Sequence, residues 1–283
     1  MRTSIRTALA SAALLLACQA AFANDDLPQA LSAPQALSAA DEAAAVAAAE
    51  RTGRDIFEHD RAAALATDVL MSERKARRDK RTRGWVTRAL ADGGIAVTFV
   101  DETPAAIYRV PVSAAGQAGP LEVLDAPEPL DAFDAGAAAA RNAAMAAPFA
   151  ACSKDYNSVV LPASPDATDS WIVYLLPGTR RNDEVPLGGS YRMDVEGGAV
   201  TAQRPFTKSC IKLQKGGATS AMMITHLLDA APTAVHVHWS LWAATPMFVM
   251  TPPDGAIWAI EHGVVRKLEK EEDEEQDDDG AED

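Results

Sequence analysis

Hydrophobic and polar positions change their period along this chain. From Ser38 apolar residues recur at helical spacing, and Ser38-Ala-Ala-Asp41 forms a capping-box pattern ahead of an alanine-rich run. The pattern predicts helix over residues 38–90, with a break at Thr52-Gly53 and a stop at Gly93-Gly94. The period then becomes two. Residues 95–100 and 106–112 read as strands around the turn Glu102-Thr103-Pro104, and a weaker strand falls at 121–124. A second alanine-rich helix is predicted over residues 134–147.

The second half reads as strand throughout. Residues 156–161 and 171–176 are apolar on both faces, as central strands are. Residues 190–196 and 199–203 form a hairpin about Gly197-Gly198, with Val195 opposite Val200 and Met193 opposite Ala202. Arg192, Asp194, Thr201 and Gln203 then face water. A meander is predicted from strands at 219–227, 234–242, 246–251, 255–260 and 264–267. The fold class is therefore α+β. A helical segment with a short β-hairpin and a second helix (residues 38–150) precedes an antiparallel β-rich domain (residues 151–268).

The ends differ from this body. Arg2 and Arg6 precede a short uncharged apolar run and Ala21-Phe22-Ala23, the layout of a secretory signal peptide over residues 1–23. Leu14-Leu15-Leu16-Ala17-Cys18 overlaps it as a bacterial lipobox, in which Cys18 would be lipidated. Both patterns imply a bacterial envelope: the periplasm, or alternatively the outer membrane as a lipoprotein, or secretion. Residues 24–37 form a low-complexity linker containing most of a tandem hexapeptide. Residues 269–283 hold eleven acidic residues and one lysine, so the chain's net charge of −14 is concentrated there. Such a block is expected to be a disordered tail.

With Cys18 in the leader, Cys152 and Cys210 are the remaining cysteines, and in an oxidising compartment they form a disulfide. A basic cluster, Arg74, Lys75, Arg77, Arg78, Lys80 and Arg81, lies inside the predicted first helix. It is either a face for an anionic partner or a solvated helix face paired with the acidic tail. Nucleic acid is not an expected partner, and membrane contact is expected only through a lipid on Cys18.

One constellation carries candidate chemistry. On a strand His236, His238 and Ser240 share a face, and two imidazoles at this spacing can chelate zinc. The register that matches apolar faces puts His226 on the opposite side. That leaves Asp194, Glu261 and His262 as loose third ligands. The bland alternative is two polar residues on a half-exposed sheet face. Trp239, Trp242 and Trp258 either fill a core or line a groove for a sugar or peptide. No His-Glu-x-x-His, Gly-x-Ser-x-Gly, phosphate loop or Cys-x-x-Cys occurs. The expected function is a non-enzymatic envelope protein that binds another macromolecule or supports assembly, without a cofactor. The alternative is a zinc-dependent periplasmic hydrolase using His236 and His238.

Overall fold

The computed structural model describes residues 34–269, apart from residues 166, 168, 182, 218 and 219. The predicted leader, Cys18, most of the hexapeptide repeat and all but the first residue of the acidic segment lie outside the described residues.

Helix α1 spans Ala39–Ser72. Ser38 caps it, its hydroxyl accepting the Asp41 backbone N–H at 3.2 Å. The break expected at Thr52-Gly53 does not occur, and α1 runs through Gly53. It ends well before the expected Leu90, because residues 73–83 are almost wholly charged and offer no apolar stripe for a helix to bury. A single 3₁₀ turn, Ala76–Arg78, follows, anchored by buried Ala76. Then comes strand β1, Gly84–Ala89. Gly93, at φ +81°, makes the next hairpin turn instead of stopping a helix. Strands β2 (Ile95–Val100), β3 (Ala105–Val112) and β4 (Glu122–Pro129) complete an antiparallel sheet in the order β1-β2-β3-β4. The C-terminal half of α1 packs on it through Ala62, Ala66 and Leu70 against Val97, Phe99 and Val110.

Helix α2, Ala132–Ala146, begins at Asp131, whose carboxylate accepts the Asp134 N–H at 2.9 Å. Strands β5 (Tyr156–Pro162), β6 (Ser170–Pro177), β7 (Glu184–Val185), β8 (Tyr191–Glu196), β9 (Ala199–Pro205) and β10 (Leu213–Gln214) follow. Four of them form a second antiparallel sheet in the order β5-β6-β8-β9, while β7 pairs with β10. Strand β6 is central as expected, but β5 is an edge strand. Its two apolar faces have another cause: this sheet is covered on both sides. Val160, Val173 and Leu175 meet the alanine face of α2, while Val159, Tyr174 and Leu176 join the core formed with α1. The alanines on α2 let helix and sheet approach closely. Residues on both sides of residue 150 thus share a core.

The hairpin at Gly197-Gly198 sets Val195 opposite Val200. A register shift between Asp194 and Val195 then places Met193 opposite Gln203, not Ala202. Cys152 and Cys210 form a disulfide with Cα atoms 5.4 Å apart, joining the segment before β5 to the segment after β9.

The largest departure from the sequence pattern lies in the third sheet. Strand β11 (Met222–Thr225) is followed by helix α3 (Ala234–Ala243), then β12 (Met247–Thr251), β13 (Ala256–Glu261) and β14 (Val264–Lys267). The strand predicted over residues 234–242 is α3. Every residue from Ala234 to Ser240 is buried, so no polar face marks its period. A helix there is a crossover, and β11 and β12 accordingly pair in parallel, with Ile224 opposite Val249. Val235, Val237 and Trp239 of α3, with Met247, Val249 and Trp258, join Ile56 of α1 in the largest core. No helix among the described residues is long and apolar enough to cross a membrane.

Candidate functional site

Helical geometry separates the two histidines. Residues i and i+2 share a face on a strand but lie about 200° apart around a helix. His236 and His238 therefore do not form the pair that the strand reading required. Both are fully buried, not half-exposed.

His236 sits in the first turn of α3. Its Nδ1 accepts the Thr233 backbone N–H at 3.0 Å and lies 3.0 Å from the Thr233 hydroxyl. The proton therefore resides on Nε2, which has no hydrogen-bond partner among the described residues. Burial, reinforced by the charges of His226 and Arg204, holds His236 well below the usual histidine range. Thr233 and His236 are thus the parts of a hydroxyl–imidazole pair, yet Nδ1 already serves the helix cap and the ring resists taking a proton.

His226 occupies the position the strand reading denied it. Its ring meets that of His236 edge-on, with centroids 4.6 Å apart. Its Nε2 donates to the Asp229 carboxylate at 2.7 Å, and Arg204 donates to the same oxygen. Burial pushes the Asp229 carboxyl up, but the His226 hydrogen bond and the Arg204 charge outweigh it, and the group titrates below its ordinary value. Thr233, His236, His226, Asp229 and Arg204 form a polar cluster of two hydrogen-bonded groups, Thr233–His236 and His226–Asp229–Arg204, which meet through the edge-on imidazole rings. It backs a cleft of about 310 Å³ walled by Tyr174, Arg192, Phe206 and the alanine face of α1 near Ala48. The short connection from the end of β11 to the start of α3 carries His226, Asp229 and Thr233 and brings them beside His236.

His238 differs: neither ring nitrogen has a hydrogen-bond partner among the described residues, its ring lies 4.7 Å edge-on from Trp239, and burial lowers its pKa to about 3. Among the described residues no group of three His, Cys, Asp or Glu side chains is placed to hold a metal ion. Of the loose third ligands, Asp194 pairs with Arg192 at 2.7 Å and Glu261 with Arg266 at 2.8 Å. His262 stands in the β13–β14 turn at φ +52°. Ser240 is tied to the Thr245 and Ile260 carbonyls at 2.9 and 3.2 Å.

A second cleft, of about 230 Å³, was not anticipated. Asp60 of α1 lies in it beside Asn157, Trp239 and Trp242. The Asp60 carboxylate accepts the Asn157 amide at 3.0 Å, and burial raises its pKa to about 6. The adjacent His59 bonds Thr87 at 2.7 Å, and burial lowers its pKa to about 4. The sequence did carry a clue, because Asp60 falls on the stripe of Ile56 and Ala63 that α1 buries. The tryptophans divide: Trp239 and Trp258 are buried in the core, while Trp242 is half-buried and borders this cleft.

Arg74, Lys75, Arg77, Arg78, Lys80 and Arg81 are exposed, as expected, but on the turn after α1, not on a helix face. Arg81 engages Asp79 at 2.6 Å, whereas the other five form no ion pair with a described residue. The outward face of the third sheet carries an apolar cluster beside Thr225 and Arg266. Met223 is 65% exposed, Leu227 51% and Met250 36%, with Phe248 and Ile257 half-buried between them. In register, Met223 pairs with Phe248, and Thr225 with Met250 and then Ile257.

No protein-family model matches the chain, and neither do the curated proteins or the solved structures compared with it.

Proposed function

We propose that this chain is an exported protein of a bacterial envelope that binds another protein or supports its assembly, and that it does so without catalysis. The observation that carries this reading is the apolar cluster on the outward face of the third sheet. Met223, Leu227 and Met250 face solvent there, and Phe248 and Ile257 beside them are only half-buried. Contiguous exposed apolar surface marks sites of association, and methionine adapts to varied partners. The cluster behind the first cleft supports the same reading, since His236 Nδ1 is committed to the helix cap and burial opposes protonation of its ring. The hydrolase alternative gains no support from the separation of His236 and His238. Export to the periplasm rests on the leader pattern, and the Cys152–Cys210 disulfide is compatible with it.

A photo-cross-linking amino acid at Met223 or Met250, introduced in the exporting cell, tests the reading. A discrete protein adduct is expected at both positions and not at Gln203, which is exposed on another sheet. No adduct at either methionine overturns it. Labelling with a palmitate analogue separates the two leaders: incorporation that depends on Cys18 identifies a lipoprotein, and its absence identifies cleavage after Ala23.

A further inference from the structure

The strongest opposite charges of this chain emerge at opposite ends of α1. At its C-terminal end, residues 74–83 hold seven basic residues and one acidic, a net of +6. Ala76, buried in the cluster that contains Leu70, fixes this turn against the end of the helix. At the other end, β14 delivers the acidic segment. The Val265 N–H donates to Glu50 at 2.7 Å and Lys267 pairs with Glu42 at 2.6 Å, so the chain leaves the sheet beside the first turns of α1.

The distance between these points decides what can meet. From Glu42 to Leu70 the helix rises about 42 Å at ~1.5 Å per residue. The densest acidic run, residues 271–275, lies within seven residues of Leu268. Fully extended, seven residues reach no more than about 25 Å. That run cannot lie on the basic turn of its own molecule, and residues 277–279 would come near it only with the whole segment drawn taut, at a heavy cost in conformational entropy.

We propose that the acidic segment, residues 269–279, docks on the basic turn of a second copy of this chain. Two copies with their α1 helices antiparallel place each acidic run beside the other's turn, giving two equivalent contacts about a twofold axis. Exposed guanidinium groups donate paired N–H bonds to a carboxylate in bidentate fashion, which suits Arg74, Arg77 and Arg78. The basic residues of the turn are exposed, so the association is screened by salt over a Debye length of about 10 Å at 0.1 M. It uses the charges of the turn and the acidic segment and not the apolar residues of the third sheet, so it can hold or fail independently of the binding reading above.

Sedimentation velocity of the full exported chain tests it. A dimer is expected at about 0.05 M salt and a monomer at about 0.5 M, where screening is strong. A turn variant, Arg77→Glu with Arg78→Glu, should be monomeric at low salt. So should a tail variant, Glu271→Gln with Glu272→Gln, Glu274→Gln and Glu275→Gln. Mixed together, the two should form a heterodimer, since one retains the tail and the other the turn. Met223→Ser with Met250→Ser should leave the dimer unchanged. Carbodiimide cross-linking of an equimolar mixture of light and heavy-nitrogen protein should join Lys75 or Lys80 to tail carboxylates in mixed-isotope pairs. The proposal is overturned if the chain is monomeric at low salt, if either charge variant dimerises like the parent, or if the cross-links are solely same-isotope. It is equally overturned if the turn binds phosphatidylglycerol vesicles while the chain stays monomeric.

Discussion

Gly53 of α1 lies directly against Val237 of α3. A Cβ built on Gly53 would stand 2.5 Å from the Val237 Cβ and 2.8 Å from the Ala234 carbonyl oxygen. The two helices cross here at a distance that only glycine permits. In an open helix Gly→Ala stabilises by about 1 kcal/mol. Here the overlap is with a Cβ and with backbone, neither of which can rotate aside. Gly53→Ala should therefore destabilise the fold by about 2 kcal/mol or more. Val237→Ala should recover part of that loss in the double variant, because the two sites are in contact. Urea midpoints measure both, and a Gly53→Ala protein as stable as the parent would contradict the packing described.

That pair also shows why some of the fold was legible and some was not. Ser38 and Asp131 announce their helices through local chemistry, and Gly197-Gly198 announces its hairpin. Gly53 looks like a breaker because sequence shows that a glycine is present and not what approaches it. Residues 234–242 look like a strand because burial on every side erases the periodicity that separates helix from strand. That one misreading carries the rest with it. It turns a parallel pair into an antiparallel one, gives His236 and His238 a common face, and removes His226 from His236. The polar cluster from Thr233 to Arg204 was illegible for this reason, although each of its residues is visible. The basic turn and the disulfide depend on local composition and pairing, and both residue sets were identifiable.

The disulfide closes a loop of 58 residues between Cys152 and Cys210. In the chain-entropy description such a loop restricts the unfolded state by about 4 kcal/mol. Cys152→Ser with Cys210→Ser should lower stability by roughly 3–4 kcal/mol in chemical denaturation, with the denaturant midpoint shifted. Dithiothreitol added to the parent should reproduce the loss and leave the double variant unaffected. A parent insensitive to reductant, with its thiols free to alkylation, would show that the bond is not formed.

His238 is a buried imidazole whose two nitrogens lack hydrogen-bond partners among the described residues. An unsatisfied buried polar group carries its desolvation penalty without a compensating bond, of order 1–3 kcal/mol. His238→Leu, close in volume, should therefore stabilise the protein at pH 7 by about 1–2 kcal/mol. The pH dependence gives a second readout. His238 and His59 titrate at about 3 and about 4 in the fold, against 6.5 when unperturbed. As pH falls below 6.5 the unfolded chain takes up protons that the fold refuses, so stability present above 6.5 is lost toward the folded values. Each unit costs about 1.4 kcal/mol per histidine. Between pH 6.5 and 5 the parent should lose about 2 kcal/mol more than His238→Leu does. Parallel stability curves for the two proteins would show that His238 does not titrate in this way.

Asp60 titrates with the opposite sign. Its carboxyl is raised from 3.8 to about 6 by burial, against which the Asn157 hydrogen bond works only in part. Between these two values the folded state holds a proton that the unfolded chain releases. Stability from this group is thus greatest below pH 3.8, declines as pH rises to about 6, and stays at its reduced level above. The shift of roughly two units corresponds to about 3 kcal/mol of penalty at neutral pH. Asp60→Asn keeps the shape and offers a hydrogen-bonding group to Asn157 without the charge. It should therefore raise stability at pH 7.5 by up to about 3 kcal/mol and change little at pH 4, where the parent carboxyl is already protonated. Thermal denaturation of both proteins at the two pH values measures the difference. An equal gain at both would assign the effect to packing, and a loss at pH 7.5 would mean that the ionised carboxylate is favoured in its cleft beside Trp239 and Trp242.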